Sequence, residues 1–124
     1  MTAITGTAEK IATEYVRAWL AGDIEKALSF IADDVVCEAP GGVIKGLAGY
    51  RQFLEPFATA LISGQLIDVL GDGDRATAVY TVETPFAKDF RGMEYVTVED
   101  STIVRVISVF DRLPMAQAGG SPQS

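Results

Sequence analysis

Glu94 is the residue of this chain best placed to do chemistry. It stands in the run Met93-Glu94-Tyr95-Val96-Thr97-Val98, where a strand sends a carboxylate either to solvent or into the interior. Inside, desolvation raises its pKa and makes it a hydrogen-bond donor or a general acid. Tyr15 lies in the apolar stripe of a helix; its hydroxyl could meet a backbone carbonyl in the core or a ligand in a pocket, and the residues leave both open. Asp111 ends the last strand and is a candidate base, although strand-end aspartates are more often caps or turn residues. Glu38 reads as a solvated sheet residue. Cys37 shares the inward strand face with Ala39 and reads as a buried, inert thiol, because no basic neighbour is evident to activate it. Asp68, Asp72 and Asp74 lack the downstream bidentate glutamate of a calcium loop, and a hairpin turn accounts for them. No metal site is expected.

Composition narrows the chemistry further. The chain has no histidine, which removes His-containing metal sites and every Ser-His or Cys-His nucleophile pair. Its 17 acids against 10 bases give a formal charge of −7. The bases are scattered, so the phosphate-neutralising patch of a nucleic-acid binder is missing and an anionic membrane surface is disfavoured. No apolar run approaches the ~18 residues of a membrane span, and the first residues lack the pattern of a secretory signal. The single cysteine fits a reducing cytoplasm. At 124 residues one domain is expected.

These groups must be positioned by the stretch 15–40, YVRAWLAGDIEKALSFIADDVVCEAP. It reads as the end of one helix, a Gly-Asp corner, a short second helix, an Asp-Asp break and a strand that stops at Pro40. Thr7 can cap the first helix, whose wide apolar face includes Ile11, Tyr15, Ala18 and Trp19. Asp23 caps the second, where Ile24, Ala27, Leu28 and Ile31 follow helical spacing. Val35, Cys37 and Ala39 then take one strand face, Val36 and Glu38 the other. After the Pro40-Gly41-Gly42 turn, a third helix runs from Gly46 with Tyr50, Phe53, Leu54, Phe57 and Leu61 inward; Pro56 should kink or shorten it. Strands at 65–70 and 75–83, and at 93–99 and 102–110, are joined by short polar turns as hairpins. Helices followed by strands predict an α+β fold with helices on one face of a curved sheet. The domain spans 1–111, and the Gly-Ser-Pro-rich residues 112–124 read as a flexible tail. Trp19, Phe53 and Phe57 are core residues, or pocket walls if the interior is open.

That order of elements resembles the NTF2-like superfamily, and within it the SnoaL-like and ketosteroid-isomerase-like branch. AGDIEKALSFIADDVVCEAPGG is similar to the branch's opening and TVEDSTIVRVISVFD to its closing hairpin. The resemblance implies a cone-shaped barrel of curved, mostly antiparallel sheet, with three N-terminal helices packed on its concave face around an apolar pocket. It places Tyr15 where ketosteroid isomerases hydrogen-bond the substrate oxygen and Glu94 where they keep a neutral acid as second donor. Their base, the aspartate before the proline, is Ala39 here; Asp111 matches a recurrent family aspartate. The arginine that limonene-epoxide-hydrolase-like members carry two residues before an acid is Gly92 here, with Arg91 beside it. The resemblance therefore implies a small apolar or cyclic ligand, bound in a pocket whose wall includes Trp19, Cys37, Ala39, Phe53 and Phe57. It implies cofactor-free isomerase, cyclase or hydrolase chemistry on a cyclic or polyketide-like carbonyl compound, with Tyr15, Glu94 and Asp111 as the catalytic candidates. The competing reading is a non-catalytic binding or dimerisation module. Apolar residues at both parities of strands 75–83 and 102–110 leave an outer apolar face, which suggests a homodimer.

Overall fold

The apolar stripe of the first helix and the alternation of the strands are complementary surfaces, and the computed structural model, which describes residues 7–85 and 87–110, packs one on the other. Helix α1 (Thr7–Leu20) buries Ala8, Ala12, Tyr15, Val16, Ala18 and Trp19. Helix α2 (Ile24–Leu28) starts at Asp23, whose carboxylate accepts from the Lys26 backbone N–H at 3.1 Å. Strand β1 (Ile31–Ala39) and the short β2 (Gly42–Lys45) form a hairpin before helix α3 (Leu47–Thr59). Strands β3 (Ser63–Asp72), β4 (Arg75–Thr84), β5 (Ala87–Glu99) and β6 (Thr102–Phe110) then form a meander.

The sheet order is β2-β1-β6-β5-β4-β3, with β1 and β6 parallel and all other neighbours antiparallel. Helix α1 lies over β3, β4 and β5, and α3 lies beside β1 and β2. Gly71 lets α1 come down onto β3, because a Cβ there would meet Glu9 Cβ at 2.8 Å. Arg51 of α3 joins Glu25 of α2 at 2.7 Å, a solvated ion pair that aligns the two helices more than it stabilises them.

The expected α+β architecture and its helix–sheet arrangement are present, with several differences in detail. The sheet is open, with β2 and β3 as its edges among the described residues, so it is a curved sheet and not a closed barrel. Only α1 and α2 precede the first strand; α3 follows β1 and β2. Strand β1 begins at Ile31, before the Asp33-Asp34 pair, and its pairing with β6 shifts register between Ile31 and Val36. The two aspartates thus sit in an irregular part of a strand that continues through them. Strand β5 begins at Ala87, six residues earlier than 93, because Phe90 and Gly92 continue the inward parity of Glu94 through a segment whose polar residues conceal it. Helix α3 runs through Pro56 to Thr59; the ring withholds an N–H from the carbonyl four residues back, that of Gln52. Among the described residues, no helix is long and apolar enough to cross a membrane. Asp111 and residues 112–124 lie outside the described residues.

Candidate functional site

Alternation along β4, β5 and β6 sends Tyr80, Phe90, Glu94 and Ser108 to the helix-covered side of the sheet, where all are buried. Register decides which of them meet. Glu94 is directly opposite Ser108 on β6, and Tyr80 on β4 is directly opposite Gly92 on β5. Gly92 leaves the space that the Tyr80 ring occupies; a Cβ there would collide with the Tyr80 hydroxyl and ring edge. Trp19 reaches down from α1 and stands edge-on to Tyr80, with ring centroids 4.9 Å apart and planes at 89°. Phe57 of α3 lies 5.6 Å from Trp19 and 6.2 Å from Phe90, and Phe110 of β6 lies 5.9 Å from Phe90.

Between these rings is a cavity of about 460 Å³. Helix α3 supplies one wall through Phe53, Leu54 and Phe57, and its exposed Gln52 and Pro56 mark the rim. Trp19 and Tyr80 form a second wall, and Phe90, Glu94, Ser108 and Phe110 line the sheet side. Such a volume with few polar groups falls in the range that small-molecule sites occupy.

Glu94 is the ionisable centre of the cavity. It is 3% exposed. Its Oε2 accepts from Ser108 Oγ at 2.9 Å, whereas its Oε1 is buried without a hydrogen-bond partner. Burial pushes the carboxyl up to about 7, although Ser108, and then Tyr15 and Trp19, which face it, favour the charged form. Neither Tyr15 nor Trp19 makes a hydrogen bond of regular geometry to it, and the Trp19 Nε1–H is also buried without a partner. A carboxyl that is half ionised near neutral pH can give or take a proton there, which suits general acid–base chemistry.

The Tyr15 hydroxyl is hydrogen-bonded to that of Tyr50, which α3 presents one turn after its start; both side chains are wholly buried. The start of α3 is fixed by the Gly46 backbone N–H, which donates to the Val35 carbonyl at 2.7 Å. Burial first, and then Glu94, hold both phenols well above their ordinary pKa, so both are neutral. The pair backs the Glu94 carboxyl and does not form part of the cavity wall.

The structure therefore brings Glu94, Trp19, Phe53 and Phe57 together around one cavity, with Tyr15 behind it. Cys37 and Ala39 face inward on β1 but are not among the lining residues. Burial, followed by the charges of Glu94 and Glu38, pushes the Cys37 thiol up to about 12, which keeps it unreactive. Glu38 faces outward and pairs with Arg105 at 2.9 Å. Arg91 is exposed at the opposite strand parity to Glu94, away from the cavity. Asp111 is outside the described residues. Ser108, Tyr80, Phe90, Phe110, Gln52 and the Tyr50 hydroxyl were not singled out by sequence reasoning. The available signal for Ser108 was a hydroxyl at the inward parity of a strand whose other buried residues, Ile103 and Val106, are apolar.

Residues 12–106 match the SnoaL-like domain family. A crystal structure of a protein from Kribbella flavida shares 34% sequence identity with this chain over 93% of it and 95% of the other chain, with a TM-score of 0.89. An NTF2-like protein of unknown function from Cytophaga hutchinsonii matches at 15% identity, covering 87% of this chain and 93% of its own, with a TM-score of 0.74. A protein described as a candidate ketosteroid isomerase, also from Kribbella flavida, matches at 22% identity over 86% of this chain and 79% of its own, with a TM-score of 0.70. No curated protein sequence matches the chain.

Proposed function

The chain belongs to the SnoaL-like family, and on that premise we propose that its cavity binds a small, neutral, cyclic carbonyl compound and that Glu94 is the acid–base group acting on it. The observation that carries this reading is a buried Glu94 that lines an aromatic cavity, with Oε1 unpartnered, on a carboxyl held near neutrality. Ser108 fixes Oε2, which leaves Oε1 to exchange the proton. The protonated carboxyl donates to the carbonyl oxygen and polarises the bond; the ionised carboxylate can take a proton from the carbon next to the carbonyl. The reaction calls for no cofactor. Tyr15 acts through its position behind the carboxyl, as a neutral phenol that supports the charged form of Glu94.

Ala39 precedes Pro40, so β1 supplies no carboxylate at the position of the ketosteroid-isomerase base. That single observation favours the second reading, a ligand-binding protein without turnover. The two are separated by proton exchange at the carbon next to the carbonyl of a simple cyclic ketone such as tetralone in heavy water. Catalysis by Glu94 gives deuterium uptake that Glu94→Gln slows about 10²–10⁴-fold, the usual contribution of a general acid–base group. Tetralone that binds but exchanges no faster than in buffer leaves the binding reading standing and removes the catalytic one.

A further inference from the structure

Six aromatic side chains make a near-continuous circuit around the cavity, and all six line it. Tyr80 meets Trp19, Trp19 meets Phe57, Phe57 meets Phe90, Phe90 meets Phe110 and Phe110 meets Phe53, with successive ring centroids 4.9 to 6.5 Å apart. Successive planes are inclined to one another by 34° to 89°, as the panels of a box are, and none stacks in parallel. Aromatic faces carry partial negative charge. The carboxyl of Glu94 is the one acid in the wall, and among the described residues no lysine or arginine lines the cavity. No basic group is among those that act on Glu94 either. An ionised carboxylate there lacks a counter-charge, and a buried charge without a partner is costly. The chain as a whole carries −7, which draws cations toward it and repels anions.

We propose that the cavity also takes small organic cations of the quaternary ammonium class, with the rings enclosing the ammonium group and ionised Glu94 as its counter-charge. Such a cation is attracted by aromatic faces and brings the positive charge that the cavity lacks. Full alkylation matters because hydrogen bonding at the carboxyl is already used or closed off: Oε2 accepts from Ser108, and Oε1 is buried. A primary ammonium has three N–H donors to satisfy. A quaternary one has none and acts on the carboxylate by charge alone. The volume of about 460 Å³ admits one ring bearing a trimethylammonium group. The inference goes beyond the carbonyl reading and shares its cavity. The carbonyl compound meets the protonated carboxyl and the cation the ionised one, so the two affinities run in opposite directions with pH and either can fail alone.

Glu94 is the group that changes charge between these states. Tyr15 from α1, Tyr50 from α3, Cys37 from β1 and Tyr80 from β4 are all shifted upward, with burial the leading cause. They stay protonated while Glu94 titrates. Ser108 of β6 and Trp19 of α1, which also act on it, carry no charge.

The test compares benzyltrimethylammonium with neopentylbenzene, in which carbon replaces the charged nitrogen and the shape is kept. Trp19 is the only tryptophan of the chain, so its fluorescence reports on filling of the cavity. A ligand that takes only the ionised carboxyl binds about tenfold more tightly one pH unit above the Glu94 midpoint than one unit below, the ratio of the ionised fractions. Benzyltrimethylammonium should show that rise and neopentylbenzene a flat profile, and Glu94→Gln should abolish the rise. A cation affinity that does not rise with pH, or a rise that persists in Glu94→Gln, overturns the inference. So does failure of the cation to bind where neopentylbenzene binds. Each of these spares the carbonyl reading, which tetralone tests separately. If neither compound binds, the inference and the reading of the cavity as a ligand site fall together. The native pH profiles decide the matter even if Glu94→Gln does not fold.

Discussion

Glu94 keeps its proton between about 4.5 and about 7, where a free glutamate has already lost it, and stability must record that. The carboxyl ordinarily titrates at 4.5 and is raised to about 7 in the fold, chiefly by desolvation. The folded state therefore binds more protons than the unfolded chain between those values. The resulting stabilisation is complete below about 4.5 and is lost as pH rises through about 7, in total about 3 kcal/mol. Urea unfolding across this range should show a decline in the native protein that is absent from Glu94→Gln, the difference between the two isolating this group from the other acids. Parallel pH profiles would mean that Glu94 ionises normally. Its importance was legible because a carboxylate among β-branched and aromatic residues has few places to go. Its partners were less legible: Ser108 is across a strand pair, and Tyr50 comes to Tyr15 from another helix. Such pairings are fixed by register and packing, which no local run of residues states.

At the scale of elements, the cavity depends on how β4 and β5 face each other. Gly92 is smooth backbone under the Tyr80 ring, and that ring braces Trp19. Gly92→Ala inserts a methyl group where the Tyr80 hydroxyl and ring edge now sit, so the tyrosine must move against Trp19 or into the cavity. Overpacking of this kind costs about 1–3 kcal/mol. We expect a lower urea midpoint and weaker naphthalene binding; an unchanged midpoint would show that Tyr80 has room to give. The apolar run of 102–110 announced β6 to its ends, because Ile103, Val106 and Ser108 are buried on a strand with a sheet neighbour on each side. The first half of β5 was hidden. Lys88, Asp89 and Arg91 give it the look of a loop, Asp89 adopts a positive φ, and only Phe90 and Gly92 carry the inward pattern.

Across the whole molecule, the helices cover one face of the sheet and leave the other to solvent. Val79, Met93 and Val109 are cross-strand neighbours on that outer face. Met93 is 39% and Val109 49% exposed. A contiguous apolar row of this kind commonly marks an interface, and an isologous dimer through the sheet would bury it twice. Light scattering at high micromolar concentration should give the mass of a dimer for the native chain and of a monomer for Val109→Lys. A native chain that scatters as a monomer would leave the face solvated. The apolar residues at both strand parities made this face visible in the sequence. The open sheet was not visible, because closure depends on how far β2 and β3 diverge in space.

Whether Glu94 holds the proton at the ligand oxygen is tested most directly by the binding of tetralone as a function of pH. A ketone oxygen accepts hydrogen bonds and cannot donate one, so it needs the protonated carboxyl; the ionised form sets two lone-pair-bearing oxygens against each other. We expect affinity that is constant at low pH and falls as pH rises through about 7, with a flat profile in Glu94→Gln. A flat native profile, or the same fall in Glu94→Gln, would contradict the assignment of Glu94.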